Sequence, residues 1–375
     1  MWSLYTQSGT LVKPRRTYAS DTECVAGAKA GGQDGSLVPS TYLCRAVYSV
    51  SVVVGPPDMS AGLYVDKSKI PTRGVGGSTD DLQFTGQLPP VSPGGTGDFR
   101  TQCLFSHMSF DDPIVYPGQP GKSHLHTFIG NTGANANSTA ASLASSGNST
   151  CRGGTINRTA YWFPTLVDTR DGTPISPRTV IVYYKQGALI ADATSIKAMP
   201  DGLRMVAGDP KNSVVRDFDY GVPTGFSCIS DTTGEGTKWL HPMPPCGIGS
   251  SLWSRVLFPQ CWDGVNLDSP DHRSHMTYPS GPVCPATHPV AIPEITVNAL
   301  YTVSDPAAVS RWRLASDVYA KASPAAPAGL SSHGDWFNGW KPDIVARWVK
   351  NCDQAVKDCQ AHMLGDGWIM NEAKP

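Results

Sequence analysis

Hydrophobic residues in this chain come in short runs cut by turn residues. The runs TAYWFPTLV, TVIVYYKQ, GLRMVAG and ITVNALYTV are rich in β-branched and aromatic side chains. Turn signals such as TRDGTP and GDPKN separate them. That punctuation predicts short strands in a β-sandwich or jelly-roll-like fold. One segment differs. In PDIVARWVKNCDQAVKDCQ the apolar residues Ile344, Val345, Trp348, Val349 and Cys352 recur at helical spacing, which predicts an amphipathic helix near the C-terminus. Near the start, SDTECVAGAKAGG reads as a capped short helix with a glycine stop, and STYLCRAVYSVSVVV as a strand. The expected organisation is a small disulfide-stapled α+β unit over residues 1–55 and a Gly/Pro-rich linker over 56–97, with a short strand at LQFTG. A mostly β, disulfide-rich main domain with long loops follows over 98–375.

Composition narrows the class. There are 38 glycines and 32 prolines in 375 residues, and charged residues make up 16%, where about 25% is usual. A coiled coil or helical bundle needs far more Glu, Lys and Leu, and a disordered chain does not hold ten Trp and thirteen Tyr. A net charge of -1 leaves no basic footprint for nucleic acid. No stretch reaches the roughly 18 apolar residues of a membrane span. The opening MWSLYTQSGTLVKPRR lacks the apolar run of a secretory leader, so any leader is expected to be missing from this sequence.

The ten cysteines are spread along the chain with no C-x-x-C pair, which favours disulfides over a zinc ribbon and implies an oxidising, extracellular setting. Sequence neighbours suggest Cys24–Cys44, Cys103–Cys151, Cys228–Cys246, Cys261–Cys284 and Cys352–Cys359. The last pair carries a condition. On a regular helix its Cα atoms would stand about 10 Å apart, so the helix must break between them.

Three polar clusters lie in turn-rich settings. SHMSFDDPIVYPGQPGKSHLHTFIGN holds Asp111, Asp112, Lys122, His124 and His126. On a strand His124 and His126 face the same side, which suits two imidazoles on one metal or two catalytic groups in one cleft. CWDGVNLDSPDHRSHMTYP holds Trp262, Asp263, Asn266, Asp268, Asp271, His272, Arg273 and His275, the carboxylate and imidazole equipment of acid–base chemistry. The blander reading is a loop whose Asp and Asn side chains cap turns. HGDWFNGW holds His333 and Asp335 among aromatic rings. It reads first as core or turn, and second as a sugar-binding wall. No nucleophile elbow, P-loop, dinucleotide fingerprint, zincin motif or EF-hand loop occurs.

These segments, together with YWFPTL and CPATHPVAIPEI, resemble the family called domain of unknown function nineteen-ninety-six, over about residues 99–360. The resemblance implies a secreted protein of fungal or bacterial type and supplies no reaction. The motif positions singled out are His124, His126, Asp263, Asp268, His272, His275 and the less distinctive His288, with Asp111 and Asp112 matching too.

The leading expectation is a secreted polysaccharide-acting enzyme, a glycoside hydrolase or lyase. Its catalytic residues would be His124, His126, Asp268, His272, His275 and Asp112. Asp111, Lys122, Asp263, Asn266, Arg273, Trp262, His333 and Asp335 would bind a polysaccharide or cell-wall glycan. For a lyase, Lys122, Arg273 or Lys185 would neutralise a uronate. The alternatives are a non-catalytic cell-wall glycan-binding or structural protein, and a zinc or copper site. That site would be built on His124 and His126 with His275 or His272.

Overall fold

The computed structural model describes residues 2–6, 17–18, 42–46, 63–72, 82–217, 222–305, 307–318 and 326–371. The chain forms two compact units, Met1–Pro57 and Asp58–Pro375. In the first, strands Trp2–Thr6, Thr17–Tyr18 and Tyr42–Ala46 make a three-stranded antiparallel sheet. The helix expected in SDTECVAGAKAGG and the Cys24–Cys44 pair lie outside the described residues.

The second unit is a β-sandwich. Its strands are β1 (Asp98–Cys103), β2 (Phe105–Ser109), β3 (His126–Gly130), β4 (Ala160–Pro164), β5 (Thr179–Lys185), β6 (Arg204–Gly208), β7 (Thr224–Ser230), β8 (Ser250–Leu257), β9 (Glu294–Thr302), β10 (His333–Phe337) and β11 (Asp358–Cys359). One sheet runs β7-β8-β9-β5-β1-β11 and the other β6-β10-β4-β3-β2. Pairing is antiparallel except for β11 on β1. The four runs singled out in the sequence form β4, β5, β6 and β9, while the other seven strands carry no run that was singled out.

Period-two alternation decides which side chains fill the space between the sheets. Along β5, Val180, Val182 and Tyr184 are buried while Thr179, Ile181, Tyr183 and Lys185 remain half-exposed. From the facing sheet come Ile129, Tyr161, Phe163, Met205 and Trp336. Full burial of each such side chain stabilises the fold by about 1.5–3 kcal/mol. One end of this core is aromatic. Phe99 stacks on Trp348 at 4.7 Å, and Trp340 donates its indole N–H to the Tyr184 hydroxyl at 2.9 Å.

Strands β3, β4 and β10 are buried along their full length, because the five-stranded sheet is covered on its outer face as well. There Phe128, Trp162, Val206 and Phe337 pack against Ile114, Ala134 and Leu143. Those last three come from the chain excursions on either side of β3, the second carrying helix α1 (Ala140–Ser145).

Disulfides Cys103–Cys151, Cys228–Cys246, Cys261–Cys284 and Cys352–Cys359 are formed. The C-terminal helix α2 (Pro342–Trp348) supplies the break that the last one needs. It loosens into a π-turn over Val349–Asp353, then Val356 takes a left-handed φ of 53°. This brings the Cys352 and Cys359 Cα atoms to 5.8 Å.

Where β11 joins β1, Asp358 sits opposite Asp98. Burial, and then the neighbouring Asp358 carboxyl, push the Asp98 pKa up to about 6. A raised acid favours the folded state in its protonated form. Its contribution is complete below about pH 4 and lost as pH climbs through about 6. The denaturant midpoint of the native sequence should therefore fall more between about pH 4 and pH 7 than that of Asp98→Asn. Equal pH slopes in the two proteins would contradict this.

Candidate active site on the outer face of the five-stranded sheet

Strand register places two imidazoles on one level. His126 on β3 stands opposite Pro164 on β4. Asp335 on β10 stands opposite Trp162, two residues earlier on β4. Continuing that antiparallel register carries His333 to the level of Pro164, and so of His126, on the outer face. His124 joins them from the turn just before β3. The His124 and His126 rings lie 4.2 Å apart, and His124 and His333 5.0 Å, centroid to centroid.

Backbone carbonyls orient two of the rings. Nδ1 of His126 lies 2.9 Å from the Asp111 carbonyl oxygen, and Nδ1 of His333 lies 2.8 Å from that of Ser331. A carbonyl only accepts, so each Nδ1 carries the proton and each Nε2 a lone pair. The two Nε2 atoms stand 3.5 Å apart. Burial drives the His126 pKa down to about 4. Burial, then His126, drives His333 down to about 3. Burial, with the other two rings, holds His124 well below the ordinary imidazole value.

Two carboxylates complete the cluster. Asp335 is 1% exposed, and neither of its oxygens has a hydrogen-bond partner among the described residues. Burial, then the Asp112 charge, raises its pKa well above the usual carboxylate range. Asp112 accepts the backbone N–H groups of Ile114 and Val115 on one oxygen, at 3.0 and 2.9 Å. Its pKa is raised by burial against those two bonds.

A cleft of about 480 Å³ opens over this cluster, with His124, His333, Asp112 and Asp335 in its floor. Its far wall is the loop 263–275, and edge-strand chemistry explains why that loop sits there. Strand β6 is an edge with backbone groups left over from pairing, which must find partners. The Arg204 N–H donates to the Leu267 carbonyl, His275 Nε2 meets the Arg204 carbonyl at 2.7 Å, and Arg273 donates to the Val206 and Gly208 carbonyls. The Arg204 side chain lies over the Phe337 ring and pairs with Asp268 at 3.1 Å. The Cys261–Cys284 bond ties the root of this loop to the following segment.

Docking the loop brings His272 to the cleft wall. Its Nδ1 lies 3.0 Å from Asp268 Oδ1, so an imidazole oriented by a carboxylate lines the cleft with the floor cluster. His272 has a φ of 57°, an uncommon conformation for a residue with a Cβ and one that costs free energy.

Other residues singled out in the sequence have different places. Both His275 ring nitrogens are occupied, by Ser269 Oγ and the Arg204 carbonyl, and the residue is buried away from the three-histidine cluster. His333 stands in the position that the sequence reading gave to His275 or His272. Asp263 caps its own turn through the Val265 and Asn266 N–H groups, Asn266 donates its amide to Asp263, and Trp262 donates to the Asn266 carbonyl. Asp111 accepts the Gly121 N–H, shaping the turn before His124. Lys122 is exposed on that turn. His288 is half-buried, with Nε2 at 3.0 Å from the Ser274 carbonyl. Arg273 and Asp271 line the cleft, as do Tyr116, Lys211 and Asp209, which the sequence did not single out.

A brace and a catalytic group respond differently to truncation. His275→Ala leaves the Ser269 hydroxyl and the Arg204 carbonyl without this partner and should cost about 1–3 kcal/mol of stability in chemical denaturation. An unchanged midpoint would show that the two bonds carry no structural weight.

A family model described as a domain of unknown function, DUF1996, matches residues 112–340. That span runs from Asp112 past Asp335, so it contains the cluster and the loop that walls the cleft. Neither a curated protein nor a solved structure matches the chain.

Proposed function

The chain belongs to the DUF1996 family, and within it we propose that this chain is a secreted polysaccharide-acting enzyme, a glycoside hydrolase or lyase, working in the cleft of the five-stranded sheet. The observation that carries this reading is His272, which lines the cleft on strained backbone with its ring held 3.0 Å from Asp268. The Asp268 carboxylate accepts from His272 Nδ1, which leaves Nε2 to take a proton. Arg204 holds the other Asp268 oxygen, so the imidazole is oriented by a group that is itself fixed. Strain of this kind persists where surrounding structure enforces it, and it gathers at functional sites.

His272 is the general base in this scheme. In a hydrolase it accepts a proton from the water that attacks the anomeric carbon, as the glycosidic bond breaks and the departing oxygen is protonated by solvent. In a lyase it accepts one from the carbon beside a uronate carboxylate, as a carbon–carbon double bond forms and the glycosidic oxygen on the next carbon leaves and is protonated by solvent; Arg273 stands on the same wall to neutralise that carboxylate. The cleft volume falls within the usual range of small-molecule sites. Four disulfides, with no helix among the described residues long and apolar enough to cross a membrane, support an extracellular setting.

A panel of neutral and uronate-containing polysaccharides, assayed for reducing ends and for unsaturated products, tests the proposal. Turnover of one substrate should fall about 10²–10⁴-fold in His272→Ala. Asp268→Asn should also lower kcat, with KM little changed. Product from no member of the panel, with retention on insoluble glycan, would favour a non-catalytic wall-binding protein. Full turnover by both variants would remove His272 from the chemistry.

A further inference from the structure

The floor of the cleft holds more than a proton-transfer site requires. Two imidazoles present Nε2 lone pairs to each other at 3.5 Å, with both Nδ1 protons committed to carbonyls. With both rings neutral, no proton lies between the Nε2 atoms and two partial negative charges face one another. A third imidazole, His124, adds an Nε2 atom that is buried and has no partner among the described residues. One nitrogen from each ring lies within 4.8 Å of the others. The carboxylates of Asp112 and Asp335 lie equally close to His126. Asp335 is 1% exposed and has no hydrogen-bond partner among the described residues, and a buried, uncompensated carboxylate is costly. Every one of these groups is relieved by a cation.

We propose that His124, His126 and His333 form a binding site for one first-row transition-metal dication of the zinc class. Donor type and spacing both favour it. Three neutral imidazole nitrogens suit zinc, copper or nickel and do not suit calcium or magnesium, which take oxygen. A tetrahedral zinc ion with bonds of 2.0–2.1 Å holds adjacent nitrogens about 3.3 Å apart, close to the 3.5 Å between His126 and His333. The Nδ1–H to carbonyl bonds are the outer contacts that fix the tautomer of ligating histidines. Three protein ligands leave a fourth position, which would face the cleft, as catalytic metal sites do. Asp112 and Asp335 supply the negative charge that balances the ion. Nothing in this inference depends on the polysaccharide reading, since metal binding is measured without a substrate.

The full chain is stripped with a chelator, dialysed into metal-free buffer and titrated with zinc sulfate, with copper sulfate and with magnesium chloride. The expected result is about one equivalent of zinc bound and a rise in Tm, tighter binding of copper, and no response to magnesium. His124→Gln should weaken zinc binding at least about tenfold. His124 Nε2 has no hydrogen-bond partner among the described residues to lose, so this variant is expected to fold, and its metal-free Tm checks that. His275→Gln, outside the cluster, should bind zinc like the native sequence. Less than about a tenth of an equivalent of either transition metal would overturn the site, as would stoichiometric zinc that survives in His124→Gln. Binding without turnover of any polysaccharide would leave the site standing and remove only the proposed enzyme activity.

Discussion

Two hydrogen bonds decide what the cleft can do. The carbonyls of Asp111 and Ser331 each accept an Nδ1–H, and that choice of tautomer turns both Nε2 atoms toward one another in a buried space. Without those carbonyls the rings would be free to flip and share a proton. With them, the outer face of the sheet has a point of concentrated electron density, next to a carboxylate with no partner among the described residues. The residues that supply the carbonyls are placed by simple means. Asp111 is fixed by the turn that its side chain closes on Gly121. Ser331 is held by Asp317, whose carboxylate also accepts the Leu314 and Gly329 N–H groups.

The second constraint is the edge of the five-stranded sheet. An unprotected edge strand invites pairing with other chains. Here β6 is closed by a loop whose Arg273 and His275 reach its carbonyls, and closing the edge also delivers His272, paired with Asp268, to the cleft. Protection of the edge and construction of the site are one operation. Departures from local rules occur around it: a histidine in left-handed backbone, a carboxylate without a partner among the described residues, and facing lone pairs. The C-terminal segment has its own, in the left-handed Val356 and the buried Asp353 carboxylate.

Much of the architecture was legible in the chain. Alternation in TVIVYYKQ marks β5, because one buried face per strand writes itself as period two, whereas ITVNALYTV marks β9 by its β-branched and aromatic residues, since that strand is buried on both faces. The four described disulfides follow sequence neighbours, and the break needed between Cys352 and Cys359 appears as a π-turn. The grouping of site residues was less legible. H-x-H in His124 and His126 is local and visible, whereas His333 reaches them across β4 only through the sheet register. Run together with Trp336 and Phe337, both core residues, HGDWFNGW reads as core before it reads as site. Only its alternation, with His333, Asp335 and Phe337 on one face and Trp336 on the other, hinted at the division. His275 misleads for the opposite reason. It has the right chemistry in the right loop, but both nitrogens are spent on holding that loop to β6.

The most direct measurement is a crystal structure of the zinc-saturated protein, with anomalous data collected on both sides of the zinc absorption edge. The account predicts one strong anomalous peak in the floor of the cleft, within about 2.0–2.1 Å of a nitrogen from each of His124, His126 and His333. Zinc bound elsewhere, or ordered water bridging the three rings in its place, would contradict it.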